Sequence, residues 1–116
     1  MKETLPKSGW RELFAWRFGR RRAFRVEGES MTPTLSPGAV IFFDPRAYDN
    51  QPPQVGDVVV ARHPFQRDLQ IVKRVAEIRE DGRYVLHSDN PAGSDSRGFG
   101  VMPRGHILGR VTSRLP

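Results

Sequence analysis

From Ala23 to the C-terminus, short β-branched and aromatic runs alternate with clusters of Gly, Pro, Asp and Asn. Runs of this length, broken by residues that favour tight turns, read as strands of a meandering sheet and leave little room for helix. The pattern predicts strands over Ala23–Glu27, Ala39–Phe43, Val58–His63, Leu69–Glu80, Arg83–His87 and Ile107–Arg114. Ser36-Pro37-Gly38, Asp44-Pro45, Gly56-Asp57 and Asp81-Gly82 supply turns, and Ser88 to Gly105 forms a loop. An all-β fold follows, a coiled sheet or partly open barrel. With 116 residues there is material for one modest core.

Residues 1–22 differ from the rest. Lys2, Lys7, Arg11, Arg17, Arg20, Arg21 and Arg22 face only Glu3 and Glu12 there, so the net charge of +6 is concentrated in a basic arm ahead of a nearly balanced 23–116 domain. Trp10, Leu13, Phe14 and Arg17 recur at helical spacing, which predicts a short amphipathic helix over Gly9–Phe18, with Ser8 as N-cap and Gly19 as stop. Such a helix either packs its aromatics on the domain or makes a peripheral membrane contact through residues 9–22. Arginines without a reading module imply no specific nucleic-acid partner. The longest apolar run, Ala39 to Phe43, is far short of a membrane span, and no secretory signal is visible. These features predict a soluble cytoplasmic protein with no transmembrane segment, unless the arm rests on a membrane surface. Cysteine is absent, which excludes disulfides, thiolate metal sites and a cysteine nucleophile.

Two residues carry the chemistry. Ser30 follows the first expected strand and opens Ser30-Met31-Thr32-Pro33-Thr34-Leu35, where a turn holds it out of regular structure. A serine hydroxyl needs a base to become a useful nucleophile. Lys73 lies on the long strand, and alternation places Ile71, Lys73 and Val75 on one face. Apolar neighbours strip water from the ammonium and favour the neutral amine, as a general base requires. Arg74 beside it stays charged and cannot take that part. By itself, Lys73 reads more readily as a lysine snorkelling from a half-buried strand.

Ser30-Met31-x-Pro33-x-Leu35, Gly56-Asp57-Val58-Val59-Val60, Ile71-Val72-Lys73-Arg74-Val75 and Ser88-Asp89-Asn90 followed by Asp95-Ser96-Arg97-x-Phe99-Gly100 resemble the ordered sequence boxes of the signal peptidase I family. Those proteins are Ser/Lys-dyad endopeptidases on an all-β fold. Within the family the chain most resembles the small branch that matures nickel-type superoxide dismutase, through Asp44-Pro45-Arg46-Ala47-Tyr48, the 61–68 segment and the 107–114 ending. The resemblance implies that Ser30 attacks the scissile carbonyl, that Lys73 takes its proton, and that the Ser30 backbone N–H is an oxyanion donor. It implies that Asp95 and Arg97 brace the site, that Met31 and Pro33 shape the serine turn, and that Ser94 orients Lys73. The substrate would be a nickel superoxide dismutase precursor, bound as an extended strand beside the one preceding Ser30. No metal or other cofactor is implied. Two departures stand out. Many members carry Ser or Thr two residues before the nucleophile as a second oxyanion donor, but here Gly28 occupies that place, so the second donor is a backbone N–H or absent. Ser88 stands where glycine is common, and the 90–95 loop is one residue shorter than usual.

Other readings are weaker. His63, His87 and His106 have no motif around them that would make a Ser-His-Asp hydrolase or a metal site. Asp57 reads as a turn residue. A self-cleaving repressor of the LexA type shares the Ser-Met-x-Pro start, but the Ala92-Gly93 dipeptide lies downstream of the serine and no DNA-binding domain precedes the core. Processing of secretory precursors is the alternative within the family, although the chain has the look of a catalytic core with neither an anchor nor an inserted second domain. A non-catalytic basic β-barrel binding module is the alternative outside it.

Overall fold

The computed structural model describes residues 5–66, 68–92 and 101–115. Among these, α1 (Trp10–Arg17) precedes a single six-stranded sheet built from β1 (Arg22–Arg25), β2 (Val40–Asp44), β3 (Val58–Arg62), β4 (Gln70–Ile78), β5 (Tyr84–His87) and β6 (Ile107–Arg114). The spatial order is β1-β2-β6-β3-β4-β5, antiparallel at every pairing. The sheet does not close, so the expected coiled, partly open all-β architecture is what forms. β6 matches its expected span residue for residue, and the other strands start or end within a few residues of theirs.

Both faces of the sheet are packed. Val58 and Val60 join Val26, Met31, Leu35, Ile41, Phe43, Val72 and Val111 in one apolar cluster, whereas Val59 and Ala61 join Val75, Tyr84, Leu86 and Met102 in another. A strand covered on both sides must be apolar at successive positions, which is why β3 reads Val-Val-Val-Ala without alternation. Register shifts fall between Phe42 and Phe43 in β2, Val60 and Ala61 in β3, and Val75 and Glu77 in β4. Irregularities of this kind bend strands and deepen their twist. The sheet therefore curls, and β1 at one edge comes to share a cleft with β4, with three strands between them in the sheet order.

The N-terminal segment is tied to β6. Ser8 N–H donates to the Arg114 carbonyl at 2.6 Å, and Arg114 N–H donates to Pro6 at 3.0 Å. The helix cap differs from expectation: Gly9 is the N-cap, and the Ser8 hydroxyl is instead engaged with Ser113 Oγ at 2.7 Å. Gly19, with φ of +79°, ends the helix as expected. One helix face meets the body. Glu12 accepts hydrogen bonds from Thr112, Ser113 and Arg21, and Trp16 stacks on Phe42 with ring centroids 5.9 Å apart.

Candidate active site

The turn after β1 is fixed by what flanks Ser30. Met31 and Leu35 stand four apart on one tight turn, closed by Leu35 N–H to the Met31 carbonyl at 2.8 Å, and both side chains are fully buried in the first cluster. Anchoring these two residues leaves Ser30, just before them, half-buried at the mouth of a cleft of about 730 Å³. Pro33 is exposed on the turn, after a cis Thr32–Pro33 peptide. Among the described residues the Ser30 N–H has no hydrogen-bond partner, while its carbonyl accepts the N–H of Asn90 at 2.8 Å.

Lys73 lines the same cleft from the other side. β3 pairs Val59 with Lys73, so the lysine faces the second cluster between Ile71 and Val75, and it is only 4% exposed. The apolar surroundings expected from alternation are present. Its Nζ donates to Ser88 Oγ at 3.0 Å. No hydrogen bond joins Nζ to Ser30 Oγ, and contacts of this kind commonly tighten only when substrate is bound.

Three successive residues after β5 hold the two halves of the cleft together. Ser88 takes the lysine. Asp89, 3% exposed, accepts Arg74 Nε at 2.9 Å and Arg74 Nη2 at 3.0 Å, and also accepts Thr34 Oγ1 at 2.5 Å. Arg74 spends its remaining arm on the Gly56 carbonyl at 2.8 Å. Asn90 grips the serine turn, donating from Nδ2 to the Glu29 carbonyl at 3.0 Å and to Thr32 Oγ1 at 3.2 Å. The stretch Ser88-Asp89-Asn90 therefore ties β4 to the serine turn, Ser88 and Asp89 holding the strand and Asp89 and Asn90 the turn.

Ser88, Asn90 and Thr34 were missed as functional residues when the sequence was read, although Ser88-Asp89-Asn90 belonged to a recognised box. The β4–β5 register carried a signal. Arg74 pairs with His87, and one further step sets Ser88 across from Lys73, where cross-strand side chains share a face. The glycine two before Ser30 also has a structural cause. Gly28 has φ of +73°, a region that residues with a Cβ rarely adopt, so this position cannot readily hold a side-chain oxyanion donor. Ser94, Asp95 and Arg97 lie outside the described residues.

The weaker candidates have other occupations. His63 Nδ1 accepts the N–H of Phe65 at 3.1 Å, and His106 Nδ1 is 3.3 Å from the Arg62 carbonyl. Asp57 is a turn residue, as expected: it accepts the Gln54 N–H at 3.1 Å and the Tyr48 hydroxyl at 2.7 Å. Burial and the Asp57 carboxylate together hold Tyr48 neutral far above the usual phenol range.

A family model described as signal peptidase, peptidase S26, matches residues 13–79. The mitochondrial ATP-independent inner membrane protease subunit 1b of Arabidopsis thaliana is 33% identical over 82 residues, covering 70% of this chain and 47% of the relative. Mitochondrial inner membrane protease subunit 1 of Homo sapiens is 29% identical over 108 residues, covering 76% of this chain and 65% of the relative. The chain thus spans about half to two-thirds of the length of the curated relatives it matches. These relatives overturn the expectation of a cytoplasmic protein, since all are inner-membrane protease subunits and point to a membrane-associated location. Among the described residues no helix is long and apolar enough to cross a membrane. The ordered boxes, the open antiparallel sheet and the match over more than half of its length agree that this chain belongs to the signal peptidase family, peptidase S26.

Proposed function

We propose that the chain is a serine endopeptidase with Ser30 as nucleophile and Lys73 as general base. The observation that carries this reading is the shared cleft: a half-buried serine on a fixed turn faces a lysine removed from water. Burial disfavours the ammonium, so the neutral amine becomes accessible at a working pH. Ser30 Oγ adds to the scissile carbonyl as Lys73 Nζ takes its proton, and the ammonium then returns that proton to the departing amine. Lys73 next deprotonates a water that attacks the acyl-enzyme, which frees the new carboxylate and regenerates the Ser30 hydroxyl. We assign the Ser30 N–H, which has no hydrogen-bond partner among the described residues, as a donor to the oxyanion, a kind of contribution worth about 2.7–4 kcal/mol. Gly28 leaves any second donor to the backbone. Met31 and Pro33 shape the turn, and we assign Asp95 and Arg97 to bracing the cleft.

Substrate enters as an extended strand along β1, whose outer edge borders the cleft and, among the described residues, has no partner strand. The substrate we assign is a nickel superoxide dismutase precursor, on the strength of the 44–48, 61–68 and 107–114 segments. The test is intact-mass analysis of that precursor after incubation with the protein, with Ser30→Ala and Lys73→Ala as controls. One cut at the propeptide boundary, lost in both variants and faster at higher pH as Lys73 sheds its proton, is the expected result. Normal turnover by Lys73→Ala would remove the dyad. A cut in a signal-peptide-bearing precursor but not in the dismutase precursor would keep the dyad and replace the substrate.

A further inference from the structure

The face of α1 turned away from the body is the least explained surface of the molecule. Its inner face is fully occupied by Glu12 and Trp16, as described above. Its outer face carries Trp10, Phe14 and Phe18, one residue every four, at 73%, 60% and 63% exposure. Large aromatic rings held this far into water, with no helix residue buried, need a reason beyond the fold. The rings line a shallow groove together with Arg11, Ala15 and Arg20. The Arg11 guanidinium sits over Trp10 at 5.5 Å from the ring centroid, and that of Arg17 over Phe18 at 5.8 Å. Arg21, by contrast, is engaged with Glu12 and Asp44.

We propose that this aromatic and arginine face docks the protein on an anionic lipid bilayer, the rings entering the headgroup boundary and Arg11, Arg17 and Arg20 meeting lipid phosphates. The charge pattern selects this occupant. Indole and phenyl rings settle at the level where headgroups meet acyl chains, and guanidinium groups beside them pair with phosphate in two-pronged fashion. No carboxylate among the outward residues offsets the three arginines. The consequence is positional. Only residues 18–21 separate α1 from β1, so a docked helix holds the open edge of β1 and the cleft close to the bilayer. The proposal does not depend on the peptidase assignment, because binding is read without turnover.

The experiment uses the full chain with vesicles of phosphatidylcholine alone and of phosphatidylcholine with 30% phosphatidylglycerol, in sedimentation and by tryptophan fluorescence. Binding to the anionic vesicles, weakened by salt, and a blue shift that survives Trp16→Phe but not Trp10→Phe are expected. Replacing Trp10, Phe14 and Phe18 together by Ala should abolish binding. Because none of the three joins either core cluster, the melting curve should stay in place, which separates docking from folding. Reversing Arg11, Arg17 and Arg20 to Glu tests charge with the rings retained. About fivefold in affinity per basic residue predicts a loss of roughly 100-fold or more. Equal binding to neutral vesicles, or no binding to either, overturns the proposal. So does concentration-dependent self-association removed by the ring substitutions, which would make the face a contact between copies.

Discussion

Removing the Asp89 carboxylate should cost more stability than any other single polar change described in this chain. Its side chain is 1% exposed and that of Arg74 is 11% exposed, so the pair lies almost wholly out of water. Asp89→Ala deletes two hydrogen bonds from Arg74 and one from Thr34, while the guanidinium keeps its bond to the Gly56 carbonyl. Breaking a buried pair from one side costs about 3–5 kcal/mol, and the retained Gly56 contact places this case near 3. For a domain stable by about 5–15 kcal/mol, that is a large fraction. With a urea slope of roughly 1–3 kcal/mol/M, the midpoint should fall by about 1–3 M. Arg74→Met should do comparable damage by stranding the carboxylate. The double variant Arg74→Met/Asp89→Leu should recover much of the loss, because it removes both charges and fills the space with apolar atoms. The sum of the single losses should exceed that of the double by about 2 kcal/mol or more, the coupling expected of residues in direct contact. If the two single losses simply add, the bond is not the reason Asp89 is buried, and its tie to Thr34 must account for the cost.

Ser88→Ala removes a hydroxyl that accepts from the Lys73 ammonium, and with it support for the charged form. The ascending, low-pH limb of the pH–activity profile should move to lower pH while kcat falls by about 10²-fold, the low end of what a positioned general base contributes. Gly109→Ala would set a Cβ 2.4 Å from the Asp44 carbonyl oxygen and 2.8 Å from a Phe43 ring carbon, so β6 must shift against β2. A loss of about 1–3 kcal/mol in denaturant unfolding is expected, and a stability equal to wild type would refute that approach of the strands. The folded state keeps Tyr48 protonated well beyond the pH at which an unfolded tyrosine ionises near 10. Its contribution to stability is therefore complete below pH 10 and declines above it. Absorbance at 295 nm should show Tyr48 ionising only as the circular dichroism signal is lost, and Tyr48→Phe should flatten this alkaline decline.

Much of the sheet was legible because its signals are local. The Asp81-Gly82 turn set the β4–β5 hairpin, with Gly82 at φ of +84°, and unbroken apolar character marked β3 as covered on both faces. α1 was legible as a helix, but not the fate of its aromatics. The same spacing of Trp10, Leu13 and Phe14 fits a helix lying on a core and a helix lying on something else, and only the engagement of Glu12 with β6 decides which face turns inward. The site was half legible. Ser30 and Lys73 stood out through motif and alternation, whereas Ser88 did not, because its place depends on a register shift. The β4–β5 pairs at the hairpin end, Ile78 with Tyr84 and Glu77 with Val85, would carry Lys73 opposite Asp89 if continued unbroken. The irregularity between Val75 and Glu77 moves the ladder by one, and Ser88 takes that place instead. A period-two pattern has no mark for where such a shift will fall.

That one-residue shift also explains how three adjacent residues come to serve three partners. Ser88 and Asp89, just past the end of β5, still alternate as strand neighbours do: the first meets Lys73 on the face of the second cluster, the second meets Arg74 on the other. Asn90, past the end of β5, is free of the ladder and turns its amide to the serine turn. Ser30 and Lys73 therefore share a scaffold, although the strands beside them, β1 and β4, are not neighbours in the sheet. Curling brings β1 and β4 to one cleft, and the 88–90 stretch fixes their separation by holding one with its first two residues and the other with its last two. Asp89 is common to both grips, through Arg74 and through Thr34. A short polar strap with buried bonds thus braces Ser30 and Lys73 from within the sheet itself.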